Sequence, residues 1–201
     1  MDRRTLILGG TAALLSGCGR WSVDYEAGLN PAVSKNWTLR RVEVTVPNSL
    51  TVNHNNNRFA PRADIVWHGE PYGDRRVQVR QIIVDGLRQG GQGLSGTQGI
   101  TLSARLDHFH AVTPLSVARA PGAVHNISYE LQVFDAATTI PLTEPQMIQA
   151  DLEAYVGDAA IVAEIRGQGQ RRRIVDHIGR VTAGWLGIGF DQRRSFDSIG
   201  R

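Results

Sequence analysis

The residues best placed to do chemistry in this sequence are histidines. Asp107-His108-Phe109-His110 closes one alternating stretch, and His125 opens the next. On a strand, His108 and His110 point to one face, and Asp107 and Phe109 to the other. If the two stretches form a hairpin, His125 lies opposite His110, and three imidazoles converge as a zinc or copper site requires. No cysteine or well-placed carboxylate completes a tetrahedral set, so no metal is assigned, and His108, His110 and His125 stand only as candidates. The competing reading is that His108 and His110, in phase with the apolar residues, are edge-of-core groups bonded to backbone or to each other. Asp85, Asp151 and Asp176 can each be written into a triad with a histidine and a serine. Nothing matches Gly-x-Ser-x-Gly, so no catalytic residue is assigned and the chain is expected not to be an enzyme. The stretch "GGQGLSGTQG" lacks the Gly-Lys-Ser/Thr ending of a phosphate loop and follows a helix, which makes it a connector. No cofactor is expected.

These residues need elements to hold them. "WTLRRVEVTVP" alternates, with Val42, Val44 and Val46 on one face, and predicts a strand that ends at Pro47. "NSLTVNHNNNRFAPR" reads as loop, and "ADIVWHG" as a short strand or extended segment. Asp74 is a predicted N-cap for a helix carrying Val79, Ile82, Ile83 and Leu87, ended by Gly90 and Gly91. Three strands follow, in "ITLSARLDHFHAV", "HNISYELQVFDA" and "MIQADLEAYVG", each apolar at every second position. Residues 159–163 suggest a short helix or turn. A second long helix places Ile174, Ile178, Val181 and Trp185 on one stripe. The expected fold is therefore α+β in the order β-α-β-β-β-α. It is a two-layer sandwich whose four-stranded, mostly antiparallel sheet carries two helices on one face. Arg171-Arg172-Arg173 opens the second helix against its macrodipole, which points to a negatively charged partner such as a lipid phosphate, or to a solvated turn. Trp67 and Trp185 read as core in preference to a ligand-facing pair.

The whole chain sets the bounds. Its 201 residues are 41% hydrophobic and 20% charged, enough for one domain with a real core. The net charge of +3 is carried almost wholly by arginine, and Lys35 is the one lysine. No basic stripe with interleaved aromatics is present, so no nucleic-acid partner is expected. One cysteine, Cys18, forbids an internal disulfide. It follows a basic start at Arg3-Arg4 and the short apolar run "LILGGTAALL", the layout of an export signal.

Leu15-Ser16-Gly17-Cys18 resembles the bacterial lipobox, and Arg3-Arg4 with "TLIL" faintly resembles a twin-arginine signal. The lipobox resemblance implies cleavage before Cys18 and lipidation of its thiol and new amine, firm enough to anchor the chain to a membrane. Gly19 in place of an aspartate implies the outer membrane, facing the periplasm, with the inner membrane left open. The expected division is a signal peptide at 1–17, a lipid-anchored tether at 18–36, the α+β domain at 37–190 and a tail at 191–201. "DHFHAVT", "ADLEAYVG" and "GQGQRRRIVDHI" resemble an uncharacterised family of bacterial lipoproteins with no assigned activity. The lipobox at Cys18 and the β-α-β-β-β-α order resemble the small outer-membrane lipoproteins of LPS assembly and of ABC-type lipid transport, and "ADIVWHGEPYGDRRVQVRQIIVDGL" resembles the auxiliary lipoproteins of ABC-type transport in particular. That resemblance implies an accessory role in envelope assembly or lipid transport, with a barrel or transporter as partner. The alternative is a small-ligand or metal-binding periplasmic module built on His108, His110 and His125.

Overall fold

The computed structural model describes residues 28–192, together with the backbone of Arg20–Trp21 (β1) and Ser198–Ile199 (β9), which pair antiparallel. Between them run α1 (Pro31–Ser34), β2 (Trp37–Thr45), β3 (Val52–Asn53), β4 (Ile65–Val66), α2 (Arg75–Gly91), β5 (Gln98–His110), α3 (Pro114–Arg119), β6 (Ala123–Asp135), β7 (Gln146–Gln149), β8 (Leu152–Ala154), α4 (Asp158–Ile165) and α5 (Gln170–Trp185).

The α+β class holds, but the sheet differs from the four antiparallel strands expected. It is a mixed sheet of seven strands. β5 and β6 form its antiparallel centre. β2 and then β4 lie along the free edge of β5, both parallel to it, and β3 is parallel to β4. β7 and β8 lie in succession along the far edge of β6. The physical reason is the crossover. α2 carries the chain back along the sheet, so β5 must re-enter in the direction of β2. The expected last strand is broken where Ala150 and Asp151 leave the ladder. β3 arises inside the stretch read as loop.

The two long helices form where the pattern places them. Asp74 caps α2, accepting from the amides of Arg76 and Val77. Val79, Ile82, Ile83 and Leu87 of α2, and Ile174, Ile178, Val181 and Trp185 of α5, are buried in one cluster with the inward residues of β5 and β6. α2 and α5 lie side by side and run parallel, Gly86 against Ile178 and Gly90 against Thr182. The contact is close enough that a Cβ on Gly90 would stand 2.6 Å from the Gly179 carbonyl oxygen. Both helices therefore finish at the same end of the domain. The described chain arrives at that end too, where the Leu29 amide donates to the Trp185 carbonyl. No helix among the described residues is long and apolar enough to cross a membrane.

Candidate functional site

The candidate histidines lie at the opposite end of the domain, but not together. The β5–β6 register shifts between Leu106 and His108, leaving Asp107 as the extra residue of a β-bulge. The bulge reverses the phase of the strand end. Phe109 is fully buried and meets Trp67 edge-on, with ring centroids 5.8 Å apart. His108 and His110, expected in phase with the core, stand on the other face with rings stacked 5.6 Å apart. His110 Nε2 lies 2.9 Å from the Pro61 carbonyl oxygen. His108 is held below the ordinary imidazole value by burial and by His110, against the pull of Asp64 and Asp107. The partner of His110 across the ladder is Asn126, so His125 points to the core face and does not join the pair. The three-histidine convergence fails for that geometric reason. Among the described residues no group of three metal-ligating side chains gathers.

His125 belongs instead to a buried polar cluster under the first turns of α5. Burial, with smaller contributions from Arg173 and His177, pushes its pKa down to about 3. His177 is lowered to about 4 by burial and by Arg180 and Arg173, opposed by a hydrogen bond to the Asp151 backbone. Asp151 accepts from the Ile127 amide at 3.0 Å and from Asn126 Nδ2 at 3.1 Å, yet burial still raises its carboxyl. Within the cluster, His125 Nε2 is buried with no hydrogen-bond partner.

The other singled-out residues have structural partners. Asp85 accepts from Arg171 at 2.7 Å, and Asp176 from Arg172 at 2.9 Å. Arg171 also lies 3.3 Å from Glu70. The Arg173 guanidinium stacks 3.4 Å from the Tyr155 ring centroid and donates to the Glu153 carbonyl. The arginine run is thus engaged within the fold. Trp67 and Trp185 are core, with their indole N–H groups donating to Glu70 and Gln146. Cys18 lies outside the described residues.

Sequence reasoning missed a groove between β2 and the end of α2, of about 370 Å³, bordered by Arg40, Arg41 and Arg88. The signal was the doublet Arg40-Arg41 inside an alternating strand. A strand sends neighbouring side chains to opposite faces, so a break in the period is needed to put both arginines on one face, here the face away from α2, with Arg40 over Gly99 and Arg41 toward Glu43. The β2–β5 register has that break, between Leu39 and Arg41.

The chain belongs to a family of unknown function (DUF6778), matched over residues 37–201, from the first residue of β2 onward. No protein of curated function matches. Among solved structures, the chain is similar to a Xanthomonas campestris protein of the DUF330 family, at 13% identity and a TM-score of 0.41, covering 82% of this chain and 90% of that one. It is similar to a minor lipoprotein from Acinetobacter baumannii at 12% identity and a TM-score of 0.31, over 77% and 94% of the two chains. It is also similar to a candidate lipoprotein from Caulobacter crescentus at 13% identity and a TM-score of 0.31, over 78% and 94%.

Proposed function

We propose that this protein is a lipid-anchored lipoprotein of the bacterial cell envelope, held at the outer membrane and facing the periplasm. In this reading it is an accessory binding component of envelope assembly or lipid transport and catalyses nothing itself. The observation that carries the reading is Leu15-Ser16-Gly17-Cys18 behind Arg3-Arg4 and a short apolar run. Charge, apolar length and cysteine context agree there, and several acyl chains on Cys18 would hold the domain firmly. The domain geometry is compatible with such a tether, because the chain reaches the fold at one end, beside the close of α5. The alternative metal or small-ligand module draws no support from the geometry, which parts His125 from His108 and His110.

The test is metabolic labelling with a palmitate analogue in a bacterial host. The full chain should take up label and sediment with membranes, and Cys18→Ala should lose both properties. An unlabelled parent chain, or a labelled variant, sinks the anchor. Mild crosslinking of detergent extracts should then recover a barrel or transporter component, and a protein recovered alone removes the accessory role.

A further inference from the structure

α4 is short, uncapped and barely buried. It runs 8 residues from Asp158 to Ile165, has no side-chain cap at Gly157, and its buried residue is Ala163. A helix of this length is marginal unless packing supports it. The face it presents to solvent is nonetheless apolar. Ile161 is 60% exposed, Val162 43% and Ile165 80%. With Asp158 they stand at i, i+3, i+4 and i+7, which makes one stripe along the helix. Scattered exposed apolar residues need no explanation, but a contiguous stripe marks a surface made to be covered. The apolar area continues beside the helix. Ile161 borders a pocket of about 240 Å³ that Val117, Tyr155 and Ala160 also line. That volume is below the range of small-ligand sites, roughly 300–1,000 Å³, so the pocket extends a contact surface and does not make a ligand site.

Charge selects the occupant. Asp158 opens the stripe and Arg166 follows its end, both exposed. Arg166 is one turn past Val162, and Val162 one turn past Asp158, so all three share one side of the helix. Among the described residues, neither Asp158 nor Arg166 has an ion pair. Two copies of α4 packed in parallel would set aspartate beside aspartate and arginine beside arginine. Packed antiparallel about a twofold axis at the height of residue 163, Ile161 meets Ile165 of the second copy. Asp158 and Arg166 of the second copy are then offset by two residues of helical rise, about 3 Å, which an arginine side chain spans. The same pair forms at both ends, as a twofold contact requires. The stripe is thus self-complementary, apolar along its middle and opposite in charge at its ends. It also lies away from the end where Leu29 meets Trp185, so a tether does not cover it.

We infer that α4 is the contact of a homodimer, in which two copies pack this stripe antiparallel, Ile161 against Ile165 and Asp158 against Arg166. So short a helix gives an interface at the small, transient end of the range, with dissociation at micromolar concentration. The inference does not rest on the lipid anchor.

The experiment uses the full chain carrying Cys18→Ala, which is free of cysteine. Sedimentation velocity should show monomer passing to dimer as concentration rises through the micromolar range. Ile165→Glu, a change at an exposed side chain, should keep the fold by circular dichroism and abolish the dimer. Asp158→Arg and Arg166→Asp should each weaken dimerisation about tenfold, because both end pairs become repulsive. An equimolar mixture of these two variants should recover the dimer, since every end then faces an opposite charge. A second mixture, of Ile161→Cys with Ile165→Cys, should crosslink on oxidation faster than either variant alone. A parent that stays monomeric through the range, or a dimer unmoved by Ile165→Glu, overturns the assignment. Mixtures that neither recover the dimer nor crosslink overturn the antiparallel pairing.

Discussion

His125 places an imidazole in the core with one nitrogen unpartnered, and that has a cost which depends on pH. Its folded pKa is about 3, and that of His177 about 4, both below the ordinary 6.5. Between pH 6.5 and about 3 the unfolded chain therefore binds more protons than the folded one. Stability is fully present above pH 6.5 and falls as pH drops through this window. The urea midpoint should decline from pH 7 to pH 4.5, and His125→Leu should flatten the decline. A parent midpoint that stays level over that range would contradict the buried-neutral assignment. None of this was legible in the sequence, where His125 was grouped with His108 and His110. Residue types were read correctly, but the face each one takes depends on a single extra residue, Asp107. Nothing local in "LDHFH" marks that residue as bulged. The Asp107 carboxylate accepts from Ser128 on the partner strand, a contact visible only once the strands are paired. Trp185 was legible as core because it sits on the apolar stripe of α5, and Trp67 was read as core with it.

At the scale of elements, the long helices were the most readable part of the fold. Their caps and apolar stripes are local signals, and Asp74 and the Ile174–Trp185 stripe are where the spacing puts them. The outer strands were least readable. β3, β4, β7 and β8 are two to four residues long and owe their existence to neighbours already in place. Gly90 was read only as a helix end, whereas it and Gly86 set the distance to α5. A Cβ at Gly90 would meet Thr182 Cβ at 2.5 Å besides the Gly179 carbonyl oxygen. Alanine normally gains about 1 kcal/mol over glycine within a helix. Here the forced separation of two packed helices should outweigh that gain, costing about 1–3 kcal/mol net. Gly90→Ala should lower the thermal midpoint by several degrees, and a raised midpoint would show that the interface has slack.

The molecule as a whole has two unlike ends. One receives the chain and bears the groove between β2 and the end of α2. The other, about 24 Å away along the 16 residues of α5, holds the histidines, the buried polar cluster and the exposed Ile161 and Ile165 of α4. An anchor at Cys18 would turn the first end toward lipid and leave the second free for a partner. The parallel pairing of β2 with β5 also bears on how the chain finds its fold in time. β5 and β6 are close neighbours in sequence and can zip early, and α2 can form alone. β2 must wait for both, because its partner is made only after the helix has been traversed. Leu131→Ala, in β6, should therefore slow refolding. Val44→Ala, in β2, should leave the refolding rate nearly unchanged and speed unfolding, as stopped-flow kinetics can resolve. The strand nearest the tether is then the last to be secured and the first to be released.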